Sequence, residues 1–277
     1  DMAALALMGE AARGWYEQSR AAIAEVYGEE GPRFAALVAA FSPRNDPRSN
    51  LIQAVQVWSA WKAAGGAMSE ELAARIFRET QGDLIADKMK AWRGNVIRAL
   101  SQDVNDPGFR LSGPKAESFR RNLTGKTQEV THDTWMARVM GVLQKVFKGV
   151  DRVGVVDAIG KIGQKSPGYL LANLRTRQVA ERLTERTGVE WTPEEVQETV
   201  WTFVRHSWNR RRETGQKMED VYLDDAYSDK IAEGADNFAQ MFQDAEVGAM
   251  LQESGYAQPT RQEAEDRGRE ARGPVSD

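Results

Sequence analysis

The sequence predicts an all-α fold. Apolar residues recur every three or four positions in nearly every segment, no run alternates with the two-residue period of a strand, and glycine and proline fall mostly between the periodic stretches. With 277 residues the chain can bury a core without covalent staples, and it contains no cysteine to make them. Disulfides, thiolate metal sites and cysteine nucleophiles are thereby excluded, and a cytoplasmic monomer is expected. His132 and His206 are the only histidines, too few for a histidine-rich metal site, so neither metal nor cofactor is expected. No apolar run nears the roughly 20 residues of a membrane helix, and the first nine residues read as too short and too acidic for a signal peptide. No membrane partner is expected.

The elements follow in order. Residues 3–27 read as one amphipathic helix, stopped by the glycine–proline turn at 28–32. Residues 34–40 form a short apolar helix that ends at Ser42-Pro43. Residues 49–64 carry Leu51, Val55 and Trp58 at helical spacing and break at Gly65-Gly66. Ser69, followed by Glu70 and Glu71, is a helix start with a serine cap and an acidic first turn. Across 83–100, Ile85, Met89, Trp92, Val96 and Leu100 lie three or four apart, predicting one helix. After a loop at 103–110, Gly113-Pro114 opens a helix bearing Lys115, Phe119 and Leu123, and another helix runs from Thr134 to about Phe147. The glycine-rich stretch that follows has no phosphate-loop pattern and reads as a loop with a short helix. Residues 167–187 are helical and basic. Thr192-Pro193-Glu194-Glu195 then starts a helix to about Arg212, with Val196, Val200, Phe203 and Val204 inward. One or two helices are expected in 216–252, and from Ser254 onward the polar sequence predicts a disordered tail.

Charge is unevenly shared. The chain carries −4 overall, but residues 213–277 hold 16 acidic and 6 basic residues, which leaves +6 for residues 1–212. Within that part, residues 88–126 contain nine basic and three acidic residues. Such asymmetry suits either a solvated helical surface or one face that meets an anionic polymer. Most of the eight tryptophans read as core, with Trp61 and Trp135 as possible stacking surfaces.

Chemistry concentrates between Lys115 and Asp133, 18 positions apart. The helix after Gly113 is roughly 15 Å long. The polar link from Gly125 to Thr131 spans at most roughly 26 Å. A lysine and a carboxylate can therefore meet at the mouths of two neighbouring helices. Taken alone, Asp133 is a helix cap, Lys115 is a phosphate contact at a helix start, and Arg138 is an ion-pair partner.

Here the residues resemble a family. Leu111, Gly113 and Lys115, then Asp133, Thr134 and Arg138, match the pattern of the helix-hairpin-helix DNA glycosylase superfamily, which includes endonuclease III-like enzymes. Residues 41–46 are similar to the turn that opens that family's helical barrel. The hairpin is about two residues shorter than usual and lacks the second glycine, and the absence of cysteine excludes the iron–sulfur cluster of some members. With the helical periods, the resemblance, which covers roughly residues 35–147 and more weakly to about 212, implies a two-lobed fold: an N-terminal helix (1–34) packing on the second lobe, a barrel with a truncated hairpin (35–133) and the second lobe (134–212); the periodicity and composition beyond it add C-terminal helices (213–253) and the acidic disordered tail (254–277). It implies cleavage of the N-glycosidic bond of a damaged or modified base extruded from double-stranded DNA. Asp133 would face the sugar, and Lys115 would be either a phosphate contact or a nucleophile giving lyase activity. Arg44 or Asn45 would fill the gap left by the base, Gly113, Arg120, Arg121 and Lys126 would contact DNA, and His132 and Trp135 would line the pocket. Two alternatives stay open: a phage thymine-hypermodification enzyme on the same fold, transferring an amino acid or polyamine to an activated base, and a non-catalytic nucleic-acid-binding or virion-associated protein.

Overall fold

The computed structural model describes residues 1–142, 167–217, 220–221 and 237–256. Among these residues all regular structure is helical, with no strand. Among them too, no helix is long and apolar enough to cross a membrane. The chain divides into two compact units. One comprises Glu17–Gly125 with the described residues 237–256; the other comprises Asp1–Tyr16 with the described residues 126–142, 167–217 and 220–221. The divisions thus fall at Tyr16 and Gly125 rather than at 34 and 133.

The first unit contains α2 (Trp15–Tyr27, from Glu17 on), α3 (Gly31–Ala40), α4 (Pro47–Ala63), α5 (Glu70–Gln81), α6 (Asp83–Lys88), α7 (Lys90–Ser101), α8 (Pro114–Leu123), α12 (Phe238–Met241) and α13 (Ala245–Glu253). Helix α3 is the central element: every residue from Phe34 to Phe41 is at most 1 % exposed, and α4, α7 and α8 pack around it. Its alanines let those neighbours approach closely, which a leucine-rich helix would prevent. Beside it Tyr27 stacks on Phe34 at 3.8 Å, and Trp58, Phe242 and Tyr256 complete an aromatic cluster. Ser69 caps α5 as the sequence indicates, accepting from Leu72 N, whereas Asp46 caps α4 by accepting from Ser49 N, so that helix starts at Pro47 rather than at Ser49.

Several boundaries differ from expectation. The predicted turn at 28–32 is a 3-10 turn, Gly28–Glu30, that leads straight into α3, with Pro32 in its first turn. The predicted helix over 83–100 is two, because Met89 adopts φ −97°, ψ 57° and breaks the hydrogen-bonding run. Ser254 to Tyr256 pack rather than fray, with the Trp58 indole donating to the Tyr256 hydroxyl at 2.8 Å. The glycine-rich stretch before Pro167, and the tail beyond Tyr256, lie outside the described residues.

The second unit contains α1 (Met2–Met8), a 3-10 turn (Glu10–Ala12), α9 (Thr134–Val139), α10 (Pro167–Thr187) and α11 (Pro193–Thr214). The single helix expected over 3–27 is broken between Met8 and Trp15. Gly9 ends α1 where the chain presses on α11, and a Cβ there would collide with the Thr199 carbonyl. Helix α9 ends at Met140 and Gly141 (φ 65°), well short of Phe147. Helix α11 starts with a reciprocal cap: Glu195 N donates to Thr192 Oγ1, and Thr192 N donates to Glu195 Oε2. Glu195 also accepts from Arg13 Nε at 2.8 Å, tying the N-terminal segment to α11.

Glu198, one turn further on, is buried and accepts from the backbone N–H groups of Gly14 and Tyr16. Burial, reinforced by neighbouring Glu194 and Glu195, pushes its carboxyl well above the usual carboxylate range, against the pull of those two donors. Tyr16, itself held by Gln197, is raised in the same way. A carboxyl whose pKa is higher folded than unfolded adds stability that is complete below its unfolded value and is lost as pH rises through the folded one. Melting temperature should therefore fall as pH rises above the ordinary glutamate range. Glu198→Gln should flatten that slope, at a cost of about 1 kcal/mol at acid pH for the backbone bond an amide cannot accept. Parallel melting curves against pH for both proteins check this; identical slopes would remove Glu198 as the source.

Candidate functional site

Within the first unit, two side chains hold the hairpin segment before α8. Asn95 on α7 pairs with Ser112 as a peptide group would, accepting from its N–H at 2.7 Å and donating to its carbonyl at 3.0 Å. Glu117 on α8 reaches back to accept from Leu111 N at 2.9 Å. Gly113 follows at φ 91°, a conformation that only glycine adopts cheaply. Lys115 is half-buried, and its ammonium donates to the Ser42 carbonyl at 2.8 Å. The next carbonyl, Pro43, accepts from the Trp92 indole at 2.8 Å. Two donors from different helices thus pin consecutive carbonyls of the turn after α3.

That turn presents Arg44. It is exposed and is the one non-glycine residue at positive φ (63°) among the described residues. A left-handed arginine costs about 1–2 kcal/mol and persists only where its surroundings impose it. Asn45 donates to Gln53 at 2.8 Å, and Asp46 caps α4, so the turn is anchored on both sides of Arg44. Arg44→Gly should therefore raise stability by roughly 1 kcal/mol, read as a higher melting temperature, while weakening any binding that uses the guanidinium. A lower melting temperature would show that the side chain, not the turn, sets the conformation.

In the second unit Asp133 caps α9. Its Oδ1 accepts from Trp135 N at 2.9 Å and Met136 N at 3.3 Å, and its Oδ2 accepts from the Trp201 indole at 3.0 Å. The residue is 8 % exposed. Three N–H donors therefore hold the carboxylate in one orientation. His132, expected to line the pocket, is buried with its ring edge-on to Tyr169, whose hydroxyl accepts from His132 N and donates to Val130 O, both at 2.9 Å. Trp135 is half-buried. Arg138, expected as an ion-pair partner, is instead sandwiched between two indoles, 4.5 Å from the Trp135 ring and 4.6 Å from that of Trp208.

Lys115 and Asp133 belong to different units. Other candidates change role. Arg120 is buried and makes a two-point ion pair with Glu117 (3.0 and 2.8 Å) beneath the Phe109 ring, so its charge is spent inside the unit rather than on DNA. Trp61 is core, with its indole donating to Ala67 O, and does not offer a stacking face. Arg121 is half-buried and Lys126 is exposed. The residues that sequence reading missed are Asn95, Glu117, Trp201 and Trp208. For Glu117 a signal existed, an acid three positions before an arginine on one helix; the others are joined to their partners only by the fold.

A family model described as a family of unknown function matches residues 2–208. No curated protein matches the chain, and no solved structure does.

Proposed function

We propose, from the premise that this chain belongs to the DUF7178 family of unknown function, that it is a DNA-glycosylase-like enzyme acting on a base extruded from duplex DNA. The observation that carries this reading is the Asp133 carboxylate, fixed by Trp135 N, Met136 N and the Trp201 indole. Breaking an N-glycosidic bond builds positive charge on the sugar, and a carboxylate that need not reorient stabilises that charge or aligns the attacking water. The resemblance to the helix-hairpin-helix glycosylases assigns Asp133 this double duty of helix cap and sugar-facing group. Arg44, held out from its turn in a strained conformation, is suited to fill the gap that an extruded base leaves, offsetting the few kcal/mol of unstacking.

Lys115 is assigned a positioning role. Its bond to the Ser42 carbonyl steadies the turn that carries Arg44. The reaction is then base release without a Schiff base. The test is incubation with duplexes carrying a panel of damaged or modified bases, followed by mass spectrometry for free base and borohydride trapping. Free base without a trapped adduct is expected. A trapped adduct lost in Lys115→Ala would restore the lyase reading. That both Asp133 oxygens are engaged also suits a non-catalytic DNA-binding protein, and no base released across the panel would favour it.

A further inference from the structure

The packing of cation on indole between α9 and α11 continues beyond Arg138. Trp208 holds Arg138 on its ring and also Arg211, at 5.4 Å; one turn earlier Arg205 lies 5.0 Å over Trp201. All these groups belong to the second unit. Residues 199–212 include four arginines and no carboxylate. Among the described residues, Arg138, Arg205 and Arg211 form no ion pair, and Arg138 and Arg211 are exposed. A guanidinium held by its face on an indole keeps its in-plane N–H groups pointing outward, and less freedom is lost when they bind. Such donors fit the oxygens of a phosphodiester. From Arg205 to Arg211 the helix rises about 9 Å, enough to meet successive phosphates of one strand. Trp135, Trp201 and Trp208 are only half-buried, so the same strip offers aromatic surface to a base. Along a nucleic-acid strand, phosphates and open base faces occur together where the strand is unpaired, because a duplex hides its base faces.

We propose that the Trp135–Arg138–Trp208–Arg211 ladder, extended by Trp201–Arg205, is a binding track for unpaired DNA. Asp133, bonded to the Trp201 indole, marks one end of the track. Strand binding here does not depend on base release at Asp133.

The experiment is fluorescence anisotropy of the full chain with a labelled oligothymidylate of about 12 nucleotides, over a range of salt. The comparison is with Arg138→Gln/Arg205→Gln/Arg211→Gln. The triple variant should melt like the wild type, bind about tenfold or more weakly, and lose about 2 from the slope of log affinity against log salt. Base release from the duplex panel is measured separately on the same proteins, so loss of strand binding and loss of the proposed chemistry are told apart. Equal affinities of wild type and triple variant would overturn the proposal. So would a triple variant that loses affinity for a blunt duplex of the same length as much as it loses affinity for the single strand. Failure of the wild type to bind at low salt would do so too, and would point to an occupant such as the chain's own acidic residues beyond Glu213.

Discussion

Asp133→Asn is expected to release no base while melting only a few degrees below the wild type. Asparagine still caps α9 through its oxygen, but its amide then faces the Trp201 indole donor-to-donor, so one of the three bonds is lost. That costs about 1 kcal/mol. In a chain of this size it lowers the melting temperature by about 2–4 °C. The catalytic loss is of another order, on the order of 10²–10³ or more, because a fixed charge opposite a developing cation acts on the transition state. Trp201→Phe is the control: it removes the same bond and leaves the carboxylate, so it should share the melting shift and keep most of the turnover. Wild-type turnover in Asp133→Asn would mean that the residue is a cap and nothing more. Equal losses in both variants would mean that geometry, not charge, is being read.

Glu117→Ala is expected to be the most destabilising single change in the first unit. It strips the buried Arg120 guanidinium of its counter-charge and orphans the Leu111 N–H at once. Removing one partner of a buried pair costs about 3–5 kcal/mol. The melting temperature should drop on the order of 10 °C. Replacing both residues, Glu117→Met with Arg120→Leu, should recover much of that, since apolar groups of similar volume leave no charge stranded. A thermal melt of the single and double variants decides it. A shift under about 2 °C in Glu117→Ala would mean that water already compensates Arg120.

What the sequence made legible was local. The caps at Ser69, Asp133 and Thr192 rest on residues two or three positions apart, and each forms as its spacing indicates. The helical class followed from periodicity. Breaks imposed from a distance could not be read: Gly9 interrupts the N-terminal helix because Thr199, 190 positions later, lies against it. The role of Arg138 was hidden for the same reason, since one of the two indoles that hold it is 70 positions away. Arg120 is a different failure. Its partner stood three residues before it, but a count of basic residues treats every arginine as a surface charge.

The division of the chain has a kinetic consequence. Residues 17–125 run continuously through the first unit, so α3 can gather α4, α7 and α8 around itself as soon as they are synthesised. The second unit has no such freedom. Its first 16 residues leave the ribosome long before α11, and Gly9 and Arg13 cannot find Thr199 and Glu195 until some 180 further residues have been made. Contacts of that separation carry a large loop-closure cost and form late. In the interval the apolar side of α1, with Ala3 and Ala6, waits without its partner, and that is when this chain is most exposed to aggregation and proteolysis.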